Sequence, residues 1–519
     1  MVEGSAVVAF LAAALGLLLS FALEGMITPV PHTWWRRSRG SFCLHAGTWL
    51  AVFCLLAVLL GRPWFSMTIE LALLLLIVLV NNAKMKSLRE PFVFADFEYF
   101  TDAIVHPRLY IPFLGWGKAI AAACGFCLAA WVGWWIESAQ AGRFVWVGQL
   151  GAIATLALLA FGLLTVGIRA RPTLLLDPAR DLRELGLITS LWHYGVAERV
   201  VPTLESPFVS LRVIQGNTAR PNLIAVQNES FFDPRPLFDG IRPDVLAEFD
   251  RVKASAIEHG LLDVPAWGAN TVRTEFAFLS GISQSALGVH RFNPYRRAAR
   301  GGIATLASYL KSRGYRTVCI HPYPSSFYCR DRVYPLLGFD EFIDIRGFSG
   351  AERFGPYVGD LAVGERIAEV LGAASGPTFI FAITMENHGP LHLERSAESD
   401  IVDLYSRPPP PGCEDLTIYL RHLCNADRML GRVRAALASS ASPGGLCWFG
   451  DHVPIMTRVY SALGSPSGAT SYLLWRNDSQ VCRSRENRLG AERLALAWLD
   501  AMGMLVPAEL APAASGNER

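Results

Sequence analysis

Four polar side chains, in three segments that lie far apart in the sequence, are of the types that bind a divalent cation and activate a hydroxyl group. Glu229, Asp451 and His452 offer two carboxylates and an imidazole, which are ligands for a hard or borderline divalent cation. Thr271 offers a hydroxyl that loses its proton more easily when it joins such a cation as a ligand. Together these residues predict a metal-bound hydroxyl nucleophile, with Thr271 supplying the hydroxyl.

Two of these side chains follow segments that are typical of buried strands. Glu229 follows the apolar run 223–226, and Asp451 follows the apolar run 446–449. In open α/β sheets, sites assemble at the carboxyl ends of the strands. The small residues at 268–270 leave room for a phosphate, and the amphipathic stretch that follows them predicts a helix whose N-terminus favours an anion.

Each signal has a structural alternative when it is taken alone. An Asp-His pair or a Glu after a strand is often structural, and Thr271 can also serve as a helix cap. The combination of the three segments, in this order and context, is much more specific than any one of them.

The three segments resemble motifs of the lipoteichoic acid synthase branch of the alkaline phosphatase and sulfatase superfamily. Segment 228–231 is similar to the Glu-Ser-Phe metal motif, segment 271–276 to the nucleophile segment, and segment 450–452 to the second metal motif. The resemblance implies one divalent cation, with Mn²⁺ preferred over Zn²⁺ or Mg²⁺. Its implied ligands are Glu229, Thr271, Asp451 and His452.

Further segments resemble the part of that family that binds the phosphoglycerol head group of the substrate. They are the segments 321–323, 326–331, 338–340 and 384–388. The side chains implied to contact the head group are His321, Tyr328, Arg330 and His388. An Arg can pair bidentately with phosphate oxygens, and a His can donate to phosphate or transfer a proton.

Structural alternatives stay open for all four of these side chains. Arg330 can form a surface ion pair with Asp331, and His388 can order a turn. Tyr328 can serve packing alone, and His321 has the weakest signal of the four.

The composition indicates a membrane protein. The 519 residues are 52% hydrophobic and 18% charged, which is too apolar for a chain that is soluble throughout. The apolar residues are concentrated in the first third of the chain, in runs that approach the roughly 20 residues that a membrane-spanning helix needs. The five runs are 6–26, 44–60, 67–80, 120–136 and 145–168.

The sequence predicts a transmembrane domain followed by an α/β domain of the alkaline phosphatase type. Beyond residue 220, strands at 223–226, 317–320, 378–383, 446–449 and 471–475 alternate with helical stretches, which predicts a mostly parallel sheet covered on both faces. One of the helical stretches is 244–260. The predicted divisions are a five-helix transmembrane domain, an interfacial linker with short helices, a catalytic domain and a flexible tail, at 1–170, 171–220, 221–505 and 506–519.

Charge and cysteine content bear on location. The net charge of +2 gives no argument for a nucleic-acid partner. Basic residues at 36–39 and 84–89 would place the α/β domain in the cytoplasm by the positive-inside rule. The resemblance instead implies a bacterial plasma-membrane protein with its catalytic domain outside the cytoplasm, and we follow the resemblance.

An exported domain can form disulfides, and Cys413 with Cys424 is the first pair to test.

The function implied by the resemblance is phosphoglycerol transfer from phosphatidylglycerol, through a phosphothreonine intermediate, to a cell-envelope glycan or a glycerol-phosphate chain. Alternatives with the same core are a phosphoethanolamine transferase and a phosphate or sulfate ester hydrolase. A catalytically inactive lipid-binding sensor is the alternative from another class.

Overall fold

The chain forms two compact units, Met1–Val200 and Val201–Arg519. The computed structural model describes residues 2–100, 105, 107, 115–137, 143–170, 173–200, 202–211, 220–478 and 484–505. The predicted tail at 506–519 lies outside the described residues.

The first unit is helical. Its helices are α1 (Val2–Glu24), α2 (Arg39–Leu60), α3 (Pro63–Leu88), α4 (Trp116–Ile136), α5 (Arg143–Ala170), α6 (Pro178–Leu185) and α7 (Leu187–Ala197). Among the described residues, four helices, α1, α2, α3 and α5, are long and apolar enough to cross a membrane. The predicted span 120–136 does lie on a helix, α4, but its apolar stretch Ala123–Trp135 is shorter than the others.

Two of the basic residues that suggested a cytoplasmic α/β domain have acidic partners. Arg37 forms an ion pair with Glu24, and both side chains are buried. Lys84 is paired with both Glu90 and Asp96. The positive-inside rule counts Lys and Arg and depends little on Asp and Glu, so these ion pairs do not change the orientation that the rule predicts.

The second unit is built on an eight-stranded sheet and a two-stranded hairpin. The strands are β1 (Asn222–Asn228), β2 (Glu258–Asp263), β3 (Arg316–Ile320), β4 (Glu341–Ile343), β5 (Arg353–Phe354), β6 (Tyr357–Val358), β7 (Thr378–Ile383), β8 (Gly444–Gly450), β9 (Thr470–Arg476) and β10 (Arg485–Gly490). The order in the large sheet is β10-β2-β9-β8-β1-β7-β3-β4, and β5 pairs with β6. In the large sheet, β9 runs antiparallel to its neighbours β8 and β2, and the other described pairings are parallel. The mostly parallel sheet predicted from the sequence is confirmed.

Helices cover both faces of the sheet. They are α8 (Ala247–Ser255), α9 (Thr271–Ser280), α10 (Gln284–Leu287), α11 (Leu306–Ser312), α12 (Arg330–Leu337), α13 (Asp360–Gly372), α14 (Glu398–Leu404), α15 (Glu414–Ala438), α16 (Thr457–Leu463) and α17 (Ala491–Ala501). Alternate residues of β1 enter two separate apolar cores, Ile224 and Val226 on one face and Leu223 and Ala225 on the other. This alternation explains why the central strands read as continuous apolar runs.

Two sequence predictions are wrong in this unit. The helix predicted at 244–260 ends at Ser255, and Glu258–Asp263 forms strand β2. Cys413 and Cys424 are free thiols, as are the other cysteines among the described residues. Cys413 caps α15 and Cys424 lies three helical turns along it, a rise of about 16 Å, whereas a disulfide needs Cα atoms within about 7 Å.

Candidate active site

The site is assembled at the carboxyl ends of four adjacent parallel strands. In the order β8, β1, β7 and β3, these strands are followed directly by Asp451, Glu229, Thr384 and His321. Asn228 is paired in register with Gly450, so Glu229 and Asp451 leave the sheet at the same level. A Cβ on Gly450 would lie 1.9 Å from the carbonyl oxygen of Phe231, and only glycine permits this close approach of the two chains.

Glu229, Asp451 and His452 form a buried cluster with the geometry of a metal site. One ligand atom from each side chain lies within 4.8 Å of the other two. His452 Nε2 is 3.6 Å from Glu229 Oε1 and 3.4 Å from Asp451 Oδ2. Three sequence-predicted ligands are therefore brought together, although Glu229 and Asp451 are more than 200 residues apart in the chain.

Each carboxylate of the cluster has one oxygen fixed by the protein and one left over. Asp451 Oδ1 accepts hydrogen bonds from the backbone N–H groups of Ser230 and His452, both at 2.9 Å. Glu229 Oε1 accepts a hydrogen bond from the Ser230 hydroxyl at 3.0 Å. The second oxygens, Glu229 Oε2 and Asp451 Oδ2, are buried and have no hydrogen-bond partner among the described residues.

His452 presents an unprotonated nitrogen to these oxygens. Its Nδ1 lies 3.2 Å from the carbonyl oxygen of Val453. Because a carbonyl only accepts, Nδ1 carries the proton in this contact, and Nε2 keeps a lone pair. Nε2 is also buried without a partner among the described residues, and this tautomer is the one that a metal-binding His requires.

Without a cation, two buried carboxylates close to each other are electrostatically unfavourable. Burial, and next the neighbouring Asp451, raise the pKa of Glu229 to about 8. Buried acceptors without partners are costly, and a divalent cation would satisfy all three of them. The residues present therefore fit a divalent cation, and the donor set does not select among manganese, zinc and magnesium.

Thr271 is the first residue of α9. The turn before this helix and the first turn of the helix itself are both hydrogen-bonded to the loop after β8. The Thr274 hydroxyl donates to the carbonyl oxygen of Asp451 at 2.7 Å, and the Gly268 N–H donates to that of Val453 at 3.1 Å. Thr271 is 7% exposed. The N-terminus of α9 is thus held beside the metal-binding loop, where its N–H groups can bind an anion.

Backbone strain is concentrated in the predicted site segments. Among the described residues of the second unit, four non-glycine residues have positive φ: Ser230, Asn270, Tyr328 and Cys329, with φ between 54° and 67°. Each adjoins a predicted site residue or is one. A left-handed conformation costs roughly 1–2 kcal/mol for such residues, and strain of this kind is characteristic of functional sites.

Arg330 is held in a buried network. Its guanidinium forms a bidentate pair with Glu275, from Nε to Oε1 at 3.1 Å and from Nη2 to Oε2 at 2.7 Å. Its Nη1 lies 3.2 Å from His321 Nε2. The surface ion pair with Asp331 considered from the sequence is not the arrangement seen, since Arg330 is 1% exposed and its partner is Glu275.

His321 and His388 lie near this network and near the metal cluster. Burial, followed by the charge of Arg330 and by His388, lowers the pKa of His321 well below its ordinary value. Burial also lowers the pKa of His388, against an opposing effect of Asp451. Both rings are therefore neutral near pH 7.

Aromatic rings surround this region. The ring centroids of Tyr328 and Phe327 are 4.1 Å apart. The Arg330 guanidinium lies over the Tyr328 ring, 5.2 Å from its centroid. The ring of Tyr357 is 5.5 Å from His388, and its hydroxyl is 3.3 Å from His388 Nδ1. All eight sequence-predicted site residues thus lie in segments that follow the strand ends or begin α9 and α12. Their roles toward a substrate stay predictions.

Several residues that shape the site were not predicted to do so. Thr384 accepts a hydrogen bond from the Glu229 N–H at 3.0 Å, and the Tyr419 hydroxyl bonds to the Ser230 carbonyl at 2.9 Å. Glu275 is the carboxylate that binds Arg330. Glu275 lies in segment 271–276 and Thr384 in segment 384–388, the two segments that resemble family motifs around Thr271 and His388. Their positions in these segments could have identified them as site residues. Tyr419 had none.

Comparisons with known proteins agree with this architecture. Residues 221–504 match the family model described as Sulfatase. The chain is 27% identical over 417 residues to the capsular polysaccharide biosynthesis protein RkpI of Rhizobium meliloti (strain 1021), covering 76% of this chain and 74% of that protein.

Two solved structures are similar as well. One is the integral membrane lipooligosaccharide phosphoethanolamine transferase A (EptA) from Neisseria meningitidis, with 14% identity, a TM-score of 0.54 and coverage of 96% of this chain and 95% of that one. The other is the Streptococcus pyogenes phosphoglycerol transferase GacH in complex with sn-glycerol-1-phosphate, with 21% identity, a TM-score of 0.45 and coverage of 57% and 77%. At this identity the likeness to EptA shows the fold alone, in which apolar helices accompany a sulfatase-like α/β domain.

Proposed function

The chain belongs to the sulfatase family, and from this premise we propose that it is a membrane-anchored phosphoglycerol transferase. It would move glycerol phosphate from phosphatidylglycerol to a hydroxyl of a cell-envelope glycan or of a growing glycerol-phosphate chain. The observation that carries the proposal is the attachment of the Thr271 turn to the loop that bears Asp451 and His452, through Thr274. This attachment supports a reaction in which the Thr271 hydroxyl works together with a cation bound by that loop.

The proposed reaction has two displacements at phosphorus. In the first, the Thr271 oxygen forms a bond to phosphorus, the bond from phosphorus to the diacylglycerol oxygen breaks, and diacylglycerol leaves with a proton on that oxygen. In the second, the oxygen of an acceptor hydroxyl forms a bond to phosphorus and loses its proton, the bond from phosphorus to the Thr271 oxygen breaks, and that oxygen takes up a proton. Two displacements at one site predict ping-pong kinetics.

The residues of the chain have distinct parts in this scheme. Glu229, Asp451 and His452 would hold a divalent cation, which supplies positive charge that favours the ionised hydroxyl and offsets the charge on phosphate. His388 is neutral, because burial lowers its pKa, and can therefore accept a proton from the acceptor hydroxyl.

Membrane attachment and the glycan acceptor fit the same proposal. A chain with apolar helices is tethered to the bilayer that contains a phospholipid donor. The relative from Rhizobium meliloti is named for capsular polysaccharide biosynthesis, which supports a glycan as acceptor. We further propose that α4 completes five spans and that the catalytic unit lies outside the plasma membrane, because a cell-envelope glycan is found on that side. A topology reporter fused after Arg519 tests this placement.

The central test uses purified full-length protein, Mn²⁺ and phosphatidylglycerol labelled in the head group. Mass spectrometry should find glycerol phosphate on Thr271, and Thr271→Ala should lower transfer on the order of 10³-fold or more. The control is Thr457→Ala, because Thr457 is also the first residue of a helix but is exposed. Full activity of Thr271→Ala would refute the nucleophile.

The donor decides between the proposed function and its alternatives. Phosphatidylethanolamine, a phosphate monoester and a sulfate ester are supplied in parallel with phosphatidylglycerol. Transfer from phosphatidylethanolamine alone would identify a phosphoethanolamine transferase, and release without transfer from either ester would identify a hydrolase. Protein that binds no cation and processes none of the four compounds would instead support a lipid-binding sensor.

A further inference from the structure

Glu275 occupies an unusual position for a carboxylate. It lies on α9, four residues after Thr271, on a helix whose ten residues are all buried. Its side chain is 0% exposed, and the side chain of its partner Arg330 is 1% exposed. Burying an ion pair carries a large desolvation cost, and such a pair is often no more stabilising than apolar residues of the same volume. A role beyond stability is therefore worth testing.

The hydrogen bonds to Glu275 fix the carboxylate completely. Arg330 donates to both of its oxygens. The hydroxyls of Tyr295 and Tyr334 both donate to Oε1 in short hydrogen bonds. Since Tyr295 is 3% exposed and Tyr334 is 0% exposed, all four groups are enclosed, and the carboxylate cannot rotate without losing several bonds.

The other end of the guanidinium is also constrained. His321 Nδ1 lies 3.2 Å from the carbonyl oxygen of Ile383, so this nitrogen donates and Nε2 accepts from Arg330 Nη1. Arg330 has five N–H groups, and these contacts with Glu275 and His321 use three of them. The other two N–H groups, one on Nη1 and one on Nη2, make no hydrogen bond to the described residues, and guanidinium N–H groups are good donors to phosphate oxygens.

One short helix connects this pair to the reacting groups. Thr271 begins α9, Thr274 bonds to the Asp451 carbonyl, and Glu275 binds Arg330. Residues three and four positions apart lie on neighbouring parts of a helix surface. A shift of α9 would therefore move the hydroxyl, the metal-binding loop and the guanidinium relative to one another.

We propose that Glu275 is a positioning residue that holds Arg330 in the orientation in which it binds the phosphate of the substrate. The inference rests on the proposed function, in that it assumes a phosphate ester as ligand, but it does not depend on turnover or on the identity of the acceptor. Glu275 itself touches no substrate. Tyr295 and Tyr334 act through Glu275 by fixing its oxygens.

The test is a binding cycle in the full-length, Mn²⁺-loaded protein. Isothermal titration calorimetry with sn-glycerol 1-phosphate measures Kd for the wild type, Glu275→Gln, Arg330→Lys and the double variant. We expect Glu275→Gln to raise Kd at least tenfold, and the double variant to be no weaker than Arg330→Lys alone, because the two residues act as one unit. Losses that multiply in the double variant would overturn the proposal, as would unchanged affinity in Glu275→Gln.

The chain offers a closely matched control. Glu258 is 1% exposed and also accepts hydrogen bonds from a tyrosine, Tyr472, and an arginine, Arg485, but it lies on β2, three strands away from β1. Glu258→Gln should leave Kd unchanged. An equal loss in this variant would mean that any disturbed buried carboxylate weakens binding, and the proposal would fail.

A second variant covers the case in which Glu275→Gln does not fold. Tyr295→Phe keeps the ring and the ion pair but removes one hydrogen bond to Glu275, and we expect a severalfold rise in Kd. Unchanged Kd in a Tyr295→Phe, Tyr334→Phe double variant would refute the role. Wild-type protein that binds no glycerol phosphate would also refute it. Protein that binds through Glu275 but does not cleave phosphatidylglycerol would refute the proposed function and leave the positioning role in place.

Discussion

The pH dependence of stability can be predicted from one buried histidine behind the site. His422 on α15 has its Nδ1 2.9 Å from Glu386 Oε1 and its Nε2 3.1 Å from Glu394 Oε1. Burial lowers the pKa of His422, but the hydrogen bonds to Glu386 and Glu394 outweigh burial and raise it to about 9. The imidazolium bridges two acidic side chains and carries the charge that both require.

The sign follows from proton binding. The folded protein binds the His422 proton more tightly than the unfolded chain, in which the pKa is near 6.5. Its contribution to stability is therefore fully present below about pH 6.5 and is lost as the pH rises through about 9. The difference between the two pKa values corresponds to a contribution of at most about 3 kcal/mol to the free energy of unfolding.

Pulse proteolysis of the full-length protein in detergent and urea, with EDTA present, measures this contribution in the second unit at pH 6 to 10. Between pH 6.5 and 9.5, the wild type should lose up to about 3 kcal/mol more stability than His422→Gln. The control is His259→Gln, because burial lowers the pKa of His259 and its Nδ1 contacts Ser484. It should follow the wild-type profile above pH 7. Parallel profiles for His422→Gln and the wild type would refute the assignment of this proton to His422.

Three further outcomes are expected. Phe231→Ala should cost about 3–5 kcal/mol in the same proteolysis assay, because Phe231 is 0% exposed and packs on Trp448; a loss below 1 kcal/mol would contradict this packing. Mn²⁺ affinity, measured by calorimetry, should rise about tenfold per pH unit from pH 6 to 8 and then level off. The reason is that Mn²⁺ must displace the proton on Glu229, whose pKa is raised to about 8. An affinity that does not change with pH would show that Glu229 holds no such proton. Cys413 and Cys424 should both alkylate in urea without reductant, as read by mass spectrometry, and protection of the pair would indicate a disulfide.

The central sheet could be predicted because its strands are buried on both faces. The apolar runs at 223–226, 317–320, 378–383 and 446–449 correspond to β1, β3, β7 and β8. Since parallel strands end at the same edge, recognising the strands also predicted that Glu229, Asp451 and His452 would meet, which they do. Strand β2 gave no such signal, because it lies near the edge of the sheet and depends on distant partners in β9 and β10.

The hydrogen-bond partners of the site residues could not be predicted, and they bear directly on function. The resemblance implied that Arg330 and His321 both contact the substrate, yet three N–H groups of Arg330 and both ring nitrogens of His321 face protein atoms. The partner Glu275 is 55 residues from Arg330, and no local period encodes that pairing. The stretch after Thr271 was predicted to be amphipathic, but it forms a helix with no exposed face, in which the charge of Glu275 needs a buried counter-ion. A sequence can therefore indicate which residues reach the edge of a sheet, while competition among them for hydrogen bonds determines which one can still bind a ligand.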